Sequence, residues 1–140
     1  MARLWYWIKK QYYMLRNVED AALCVNITMY ALLDVVQYLY RDIKGRRENL
    51  SPLFVIGGNY ARKNPFFENC VRIKNNSINT GAFLDVLQGD DSIKDNTVVG
   101  VVSDIFDNDA ELKEKMHAVT VAKAFSQLKE KVSEYYDESN

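Results

Sequence analysis

The sequence predicts an α+β fold, a small sheet with helices on one side. Three observations carry that prediction. Two continuous runs, the apolar LFVIGG from Leu53 and the β-branched TVVGVVSDI from Thr97, read as strands, the first buried and the second central. Val121, Phe125, Leu128 and Val132 recur at spacings of four, three and four, which marks a long C-terminal helix. Between the two strand runs, Phe83, Leu84 and Leu87 give the inward face of a short helix.

A chain of 140 residues, 48% apolar and 26% charged, has the mixture of one globular domain or part of a larger one. That content excludes disorder throughout. The net charge of −1 conceals a segregation. Residues 1–16 carry +4, residues 17–37 carry −3, residues 38–75 carry +5 and residues 85–140 carry −7. A basic face and an acidic face follow, the first suited to nucleic acid or to the acidic face of another copy.

In chain order, Leu4, Trp7, Ile8, Tyr12 and Leu15 predict an amphipathic helix over residues 3–15. Its aromatics and lysines suit a membrane surface, or packing on the domain or a partner. Asn17 to Asp20 break the pattern, and residues 21–29 are ambiguous between helix and strand. Leu32, Val36, Leu39 and Ile43 mark the buried stripe of a helix over residues 29–43, closed by Gly45. These elements set a division into an aromatic N-terminal helix with its connection, residues 1–28, and an α+β domain, residues 29–140. A strand over Leu53 to Gly57 ends in the Gly57-Gly58 pair. A second strand over Cys70 to Lys74 puts Val71 and Ile73 into the core and Arg72 and Lys74 into water. Asn75-Asn76-Ser77 is a turn signal. Thr80 caps the short helix at Gly81 to Leu87. Gly89-Asp90-Asp91 is a loop, Thr97 to Ile105 a central strand, and Asp107-Asn108-Asp109 the start of a further helix. Thr120 opens the last one. If the strand–helix–strand unit places its strands parallel and adjacent, its crossover is right-handed.

Nothing in this pattern supplies catalysis, and a non-enzymatic protein without cofactor or metal is expected. Cys24 and Cys70 have no framework or metal spacing, so reduced thiols in a cytoplasmic protein are expected. His117, the single histidine, reads as a surface residue on a helix. Asp104, Asp107, Asn108 and Asp109 lack the glycine and terminal glutamate of a calcium loop and read as helix capping. Gly57-Gly58 has no following Lys-Ser/Thr and is not a phosphate loop. No signal-peptide core and no run near the ~18 apolar residues of a membrane span occurs.

The basic constellation is more informative. Arg41, Lys44, Arg46 and Arg47 precede the first strand. Arg62 and Lys63 follow it among Tyr60, Phe66 and Phe67, and Arg72 and Lys74 lie on the next strand. Arginines fork onto phosphates and aromatic rings stack on unpaired bases, so these residues can form an RNA-facing edge. They can equally form a solvated loop whose arginines pair with Glu48.

The run LLDVVQYLYRDIKGRRENLSPLFVIGGNYARKNPFFEN, with the later DNTVVGVVSDIFDND and a terminal helix, resembles the C-terminal part of the DevR-type backbone subunit of subtype I-B CRISPR Cascade, a member of the RAMP superfamily. The resemblance covers about residues 31–136. It implies a partial ferredoxin-like or RNA-recognition-motif-like sheet packed against helices, the C-terminal half of a larger palm. Residues 1–28 have no counterpart in it. Its members polymerise along CRISPR RNA in an antiviral effector complex and bind rather than cut. The implied partners are CRISPR RNA, copies of this chain and other Cascade subunits, with no membrane. Lys44, Arg46, Arg47, Tyr60, Arg62, Lys63 and Arg72 are the implied RNA-binding residues. The alternative function is an interaction module that oligomerises through its opposed basic and acidic faces.

Overall fold

A computed structural model of the chain describes residues 18–62 and 64–137. The predicted helix over residues 3–15 lies outside them. The described part is α+β, with five helices, three small sheets and a long C-terminal helix. In order the elements are α1 (Val18–Gln37), β1 (Tyr40–Ile43), β2 (Arg46–Asn49), β3 (Phe54–Gly58), β4 (Ile73–Lys74), β5 (Ser77–Ile78), α2 (Gly81–Gly89), α3 (Asp91–Asn96), β6 (Thr97–Val101), α4 (Asp109–Lys115), β7 (Val119–Thr120) and α5 (Val121–Asp137).

The main sheet has the order β3-β6-β7. β6 is central, as its β-branched run predicts. β3 and β6 are antiparallel, from Phe54 opposite Val101 to Gly58 opposite Thr97. The expected strand–helix–strand unit runs from β4 through α2 to β6, and its two strands lie in different sheets, so the condition for a right-handed crossover is not met. β7 is parallel to β6. The sheet is covered on both faces rather than one. Val99 and Val101 point into a core with Phe83, Leu87, Phe106, Leu112 and Met116. Gly100 points the other way, onto α5, where a Cβ would lie 2.6 Å from the Ala124 Cβ. Strand residues alternate between faces, so a continuous apolar run fits a strand buried on both.

Several local expectations hold. Phe83 and Leu87 are buried beneath α2, and Asp109 and Glu111 open α4 at its positive end. At the start of α5, the Lys123 N–H donates to Thr120 Oγ1 at 3.4 Å. The Asn75-Asn76 turn is present, with φ of 49° and 56°. Asparagine tolerates this left-handed region better than most residues.

Other expectations are corrected. The helix expected at residues 29–43 is α1, which ends at Gln37 and runs unbroken through residues 28 and 29. Its expected buried stripe faces outward, for Leu32, Val36 and Leu39 are exposed. The face that meets α5 carries Tyr30, whose hydroxyl lies 2.7 Å from Ser133 Oγ, and Asp34, which pairs with Lys129. Residues 40–43, expected to finish that helix, form a strand instead. Val71 and Ile73 are also exposed, and the core positions there belong to Cys70 and Ile78. Thr80 makes no side-chain cap. Its hydroxyl donates to Glu111 Oε1 at 2.8 Å, while Asn79 Oδ1 accepts from the Gly81 N–H at 2.9 Å. After Gly89, Asp90 caps the short α3 by accepting from the Ser92 N–H. His117 is exposed as expected, but it lies in the irregular connection between α4 and β7, with φ of 52°.

Candidate nucleic-acid interface

The segment Tyr40–Asn49 is a two-stranded hairpin closed by a two-residue turn. Lys44 and Gly45 have φ of 49° and 77°, positive at both central positions. A turn of this kind matches the right-handed twist of the strands it joins. Glycine suits the second position, where the left-handed conformation costs it nothing. The register sets Arg41 opposite Glu48 and Asp42 opposite Arg47, so opposite charges face each other across the ladder. Arg41 Nε lies 2.6 Å from Glu48 Oε2, and Arg47 Nε lies 3.6 Å from Asp42 Oδ1. Arg47 also stands 4.3 Å over the Tyr40 ring, its diagonal neighbour.

All eight strand residues of the hairpin are exposed. It is tied at its base, where the Leu50 N–H donates to Leu39 O at 2.8 Å. Strand alternation sends Arg41, Ile43, Arg46 and Glu48 to one face and Tyr40, Asp42, Arg47 and Asn49 to the other. Two of its four basic residues therefore hold carboxylates within the hairpin. Among the described residues, Lys44 and Arg46, at the tip, have no ion pair. The loop alternative, in which an arginine pairs with Glu48, is thus part of the observed arrangement.

The other expected site residues lie elsewhere. Tyr60 is half-buried against two rings, with centroids 5.2 Å from Phe66 and 6.3 Å from Phe67. Thr97 Oγ1 donates to Ile93 O at 2.6 Å, so the Tyr60 hydroxyl donates to Thr97 across 2.8 Å. Burial raises the Tyr60 pKa, against the opposing effect of Thr97. A ring held in this way packs against its neighbours on one side and is half exposed on the other.

Arg62 is exposed beside a shallow hollow that it lines with Tyr60, Phe66 and Asp90. Hydrogen bonding from Ser92 chiefly lowers the Asp90 pKa, and the Arg62 charge lowers it further. Lys63 lies outside the described residues. Arg72 is exposed and donates from Nη1 to the carbonyl of its own neighbour Val71 at 3.0 Å. The structure thus brings Lys44, Arg46 and Arg47 together on one hairpin. No described hydrogen bond, ion pair or ring contact joins them to Tyr60, Arg62 or Arg72.

Tyr40 belongs to the hairpin and was not among the expected site residues, and Arg41 was expected only as one of the basic residues before the first strand. Their signal was the alternation of YRDI and RREN about Lys-Gly, weaker than an Asn-Gly or Asp-Gly turn. Among the described residues, no cluster of three or more His, Cys, Asp or Glu side chains could hold a metal ion. No described helix is long and apolar enough to cross a membrane. No protein-family model, no curated protein and no solved structure matches this chain.

Proposed function

We propose that this chain is a non-catalytic, CRISPR-associated RNA-binding backbone subunit or a fragment of one, holding guide RNA in a cytoplasmic antiviral complex with copies of itself and other subunits. The observation that supports it is the exposed hairpin, which presents Lys44 and Arg46 at its tip with no carboxylate partner among the described residues. Arg47 and Tyr40 add a stacked cation–ring pair on one face. Such a projection reaches phosphates without disturbing the core. The sequence resemblance points the same way.

Filter binding of a single-stranded RNA across a salt series tests the reading. Each phosphate contact on a single strand contributes about 0.7 to the slope of log affinity against log salt. Replacing both Lys44 and Arg46 by Ala should therefore lower that slope by about 1.4 and weaken binding, with unchanged circular dichroism. Absence of RNA affinity at low salt would overturn the reading. A second reading, oligomerisation through basic and acidic faces, is favoured by the carboxylates already held by Arg41 and Arg47. It predicts a concentration-dependent mass that falls in high salt without nucleic acid.

A further inference from the structure

The outer face of α1 has no partner among the described elements. Val25, Leu32, Val35 and Val36, and Leu39 just past its end, are each between 40% and 47% exposed. Contiguous apolar surface of this kind marks an interaction site rather than ordinary exposure. Val25, Met29, Leu32 and Val36 follow one another at spacings of four, three and four, one stripe of the helix. The stripe borders a cleft of about 440 Å³ lined by Met29, Leu33, Gly57, Gly58, Leu128 and Val132 among others. The floor of that cleft is open at Gly57, where an added Cβ would meet nothing within 4 Å.

We propose that the occupant of this face is the chain's own N-terminal segment, residues 3–15, folded back along α1 with Trp7 and Leu4 reaching the cleft. The proposal goes beyond RNA binding and does not depend on it. Three observations select this occupant. The first is position: the segment ends next to Val18, where α1 begins. A helix over residues 3–15 would be about 20 Å long, and Met29 lies about 17 Å along α1 from Val18 at 1.5 Å per residue. The ends of a fold-back therefore match the stripe and the cleft. The second is pattern: Leu4, Trp7, Ile8, Tyr12 and Leu15 form an apolar face of the same period as the stripe. The third is charge: residues 1–16 carry four basic and no acidic side chains, whereas α1 has no basic residue and opens with Glu19 and Asp20, its other acid, Asp34, being paired with Lys129 on the opposite face. A tethered segment also has a high effective concentration over its site, which a second copy lacks.

The chain carries its own reporter, for Trp5 and Trp7 are its only tryptophans. Tryptophan emission and acrylamide quenching would be measured on the full chain, at a concentration where light scattering gives a monomer. The expected result is blue-shifted emission and quenching several-fold weaker than in urea. Leu32→Asp and, separately, Val25→Asp should shift the emission to the red and restore quenching while circular dichroism stays unchanged. Ile43→Asp, on the hairpin, should do neither. Quenching of the folded monomer equal to that in urea would overturn the proposal. So would shielding seen only at a dimeric mass, which would assign the face to a second copy, or shielding untouched by both α1 substitutions. If one α1 variant fails to fold, the other and the parent measurement decide.

Discussion

Asn108 occupies the place of a missing strand, and replacing it should unfold the protein far more readily than its position in a loop suggests. β4 and β5 pair Ile73 with Ile78 and Lys74 with Ser77 about the Asn75-Asn76 turn. In such a hairpin the pair next to the closing one turns its N–H and C=O outward. The Asn108 amide meets both: Oδ1 accepts from the Ile78 N–H at 3.1 Å, and Nδ2 donates to Ile78 O at 2.7 Å. Ile78 is 2% exposed, so water does not substitute. Asn108→Ala leaves one buried donor and one buried acceptor, at about 1–3 kcal/mol each, or about 2–6 kcal/mol together. With about 2–4 °C per kcal/mol for a domain near this size, the melting temperature should fall by about 4–24 °C. Asn108→Asp keeps the acceptor and loses the donor, setting a carboxylate against Ile78 O and near Glu111. It should also destabilise, and recover part of the loss as the pH falls and the new carboxyl becomes a donor. Urea and thermal unfolding followed by circular dichroism measure both variants. A parent-like Asn108→Ala, within about 0.5 kcal/mol, would refute this account of the turn.

The other predictions concern packing, acid stability and the hairpin. Gly100→Ala places a Cβ 2.6 Å from the Ala124 Cβ and 3.2 Å from the Val121 Cα, so overpacking should cost about 1–3 kcal/mol in a urea titration. Gly57→Ala, which meets nothing within 4 Å, should stay near the parent. Glu111 has its pKa lowered from 4.5 to about 2, first by the Lys115 hydrogen bond and then by Thr80 and Asn108. Its folded pKa lies below the unfolded one, so its contribution is present above pH 4.5 and is lost as the pH falls through about 2. Glu111→Gln should thus lower thermal stability near neutrality, with the gap to the parent closing over that window. Asp42→Asn combined with Glu48→Gln frees Arg47 and Arg41, and should steepen the salt dependence of RNA binding by up to about 1.4.

The elements legible in the sequence are those whose signal is local. β3, β6, α2 and α5 each carry their own periodicity or continuous apolar run, and the structure has all four, though β6 stops at Val101 instead of running on to Ile105. The basic hairpin was illegible because its residues satisfy two descriptions. Arg41, Lys44 and Gly45 suit the end of a helix, where cations meet the dipole and glycine follows the last turn. They suit a two-residue strand turn equally well. Pairing across the turn decides between them, and pairing has no signature in a single strand. The candidate site shares this limit. Its basic residue types were visible, but the carboxylates opposite Arg41 and Arg47 follow from the register, and the packing of Tyr60 follows from Phe66, Phe67 and Thr97.

α1 shows the same limit in a helix, with a consequence for the whole chain. Only three of its 20 residues are charged, and apolar side chains surround it. Periodicity selected the stripe of Leu32, Val36 and Leu39 as the buried one, because it is the most regular. The structure turns the neighbouring stripe to α5 instead, half-buried at Tyr30 and Leu33, as Tyr30 and Asp34 bond to α5 and Leu33 lines the cleft against it. Both choices follow from one property, since a helix apolar on every side needs cover on more than one. α5 supplies the first cover. The second stripe is then an unmet requirement of the same sequence, which turns an apparent misreading into the physical basis for placing the aromatic N-terminal segment upon it.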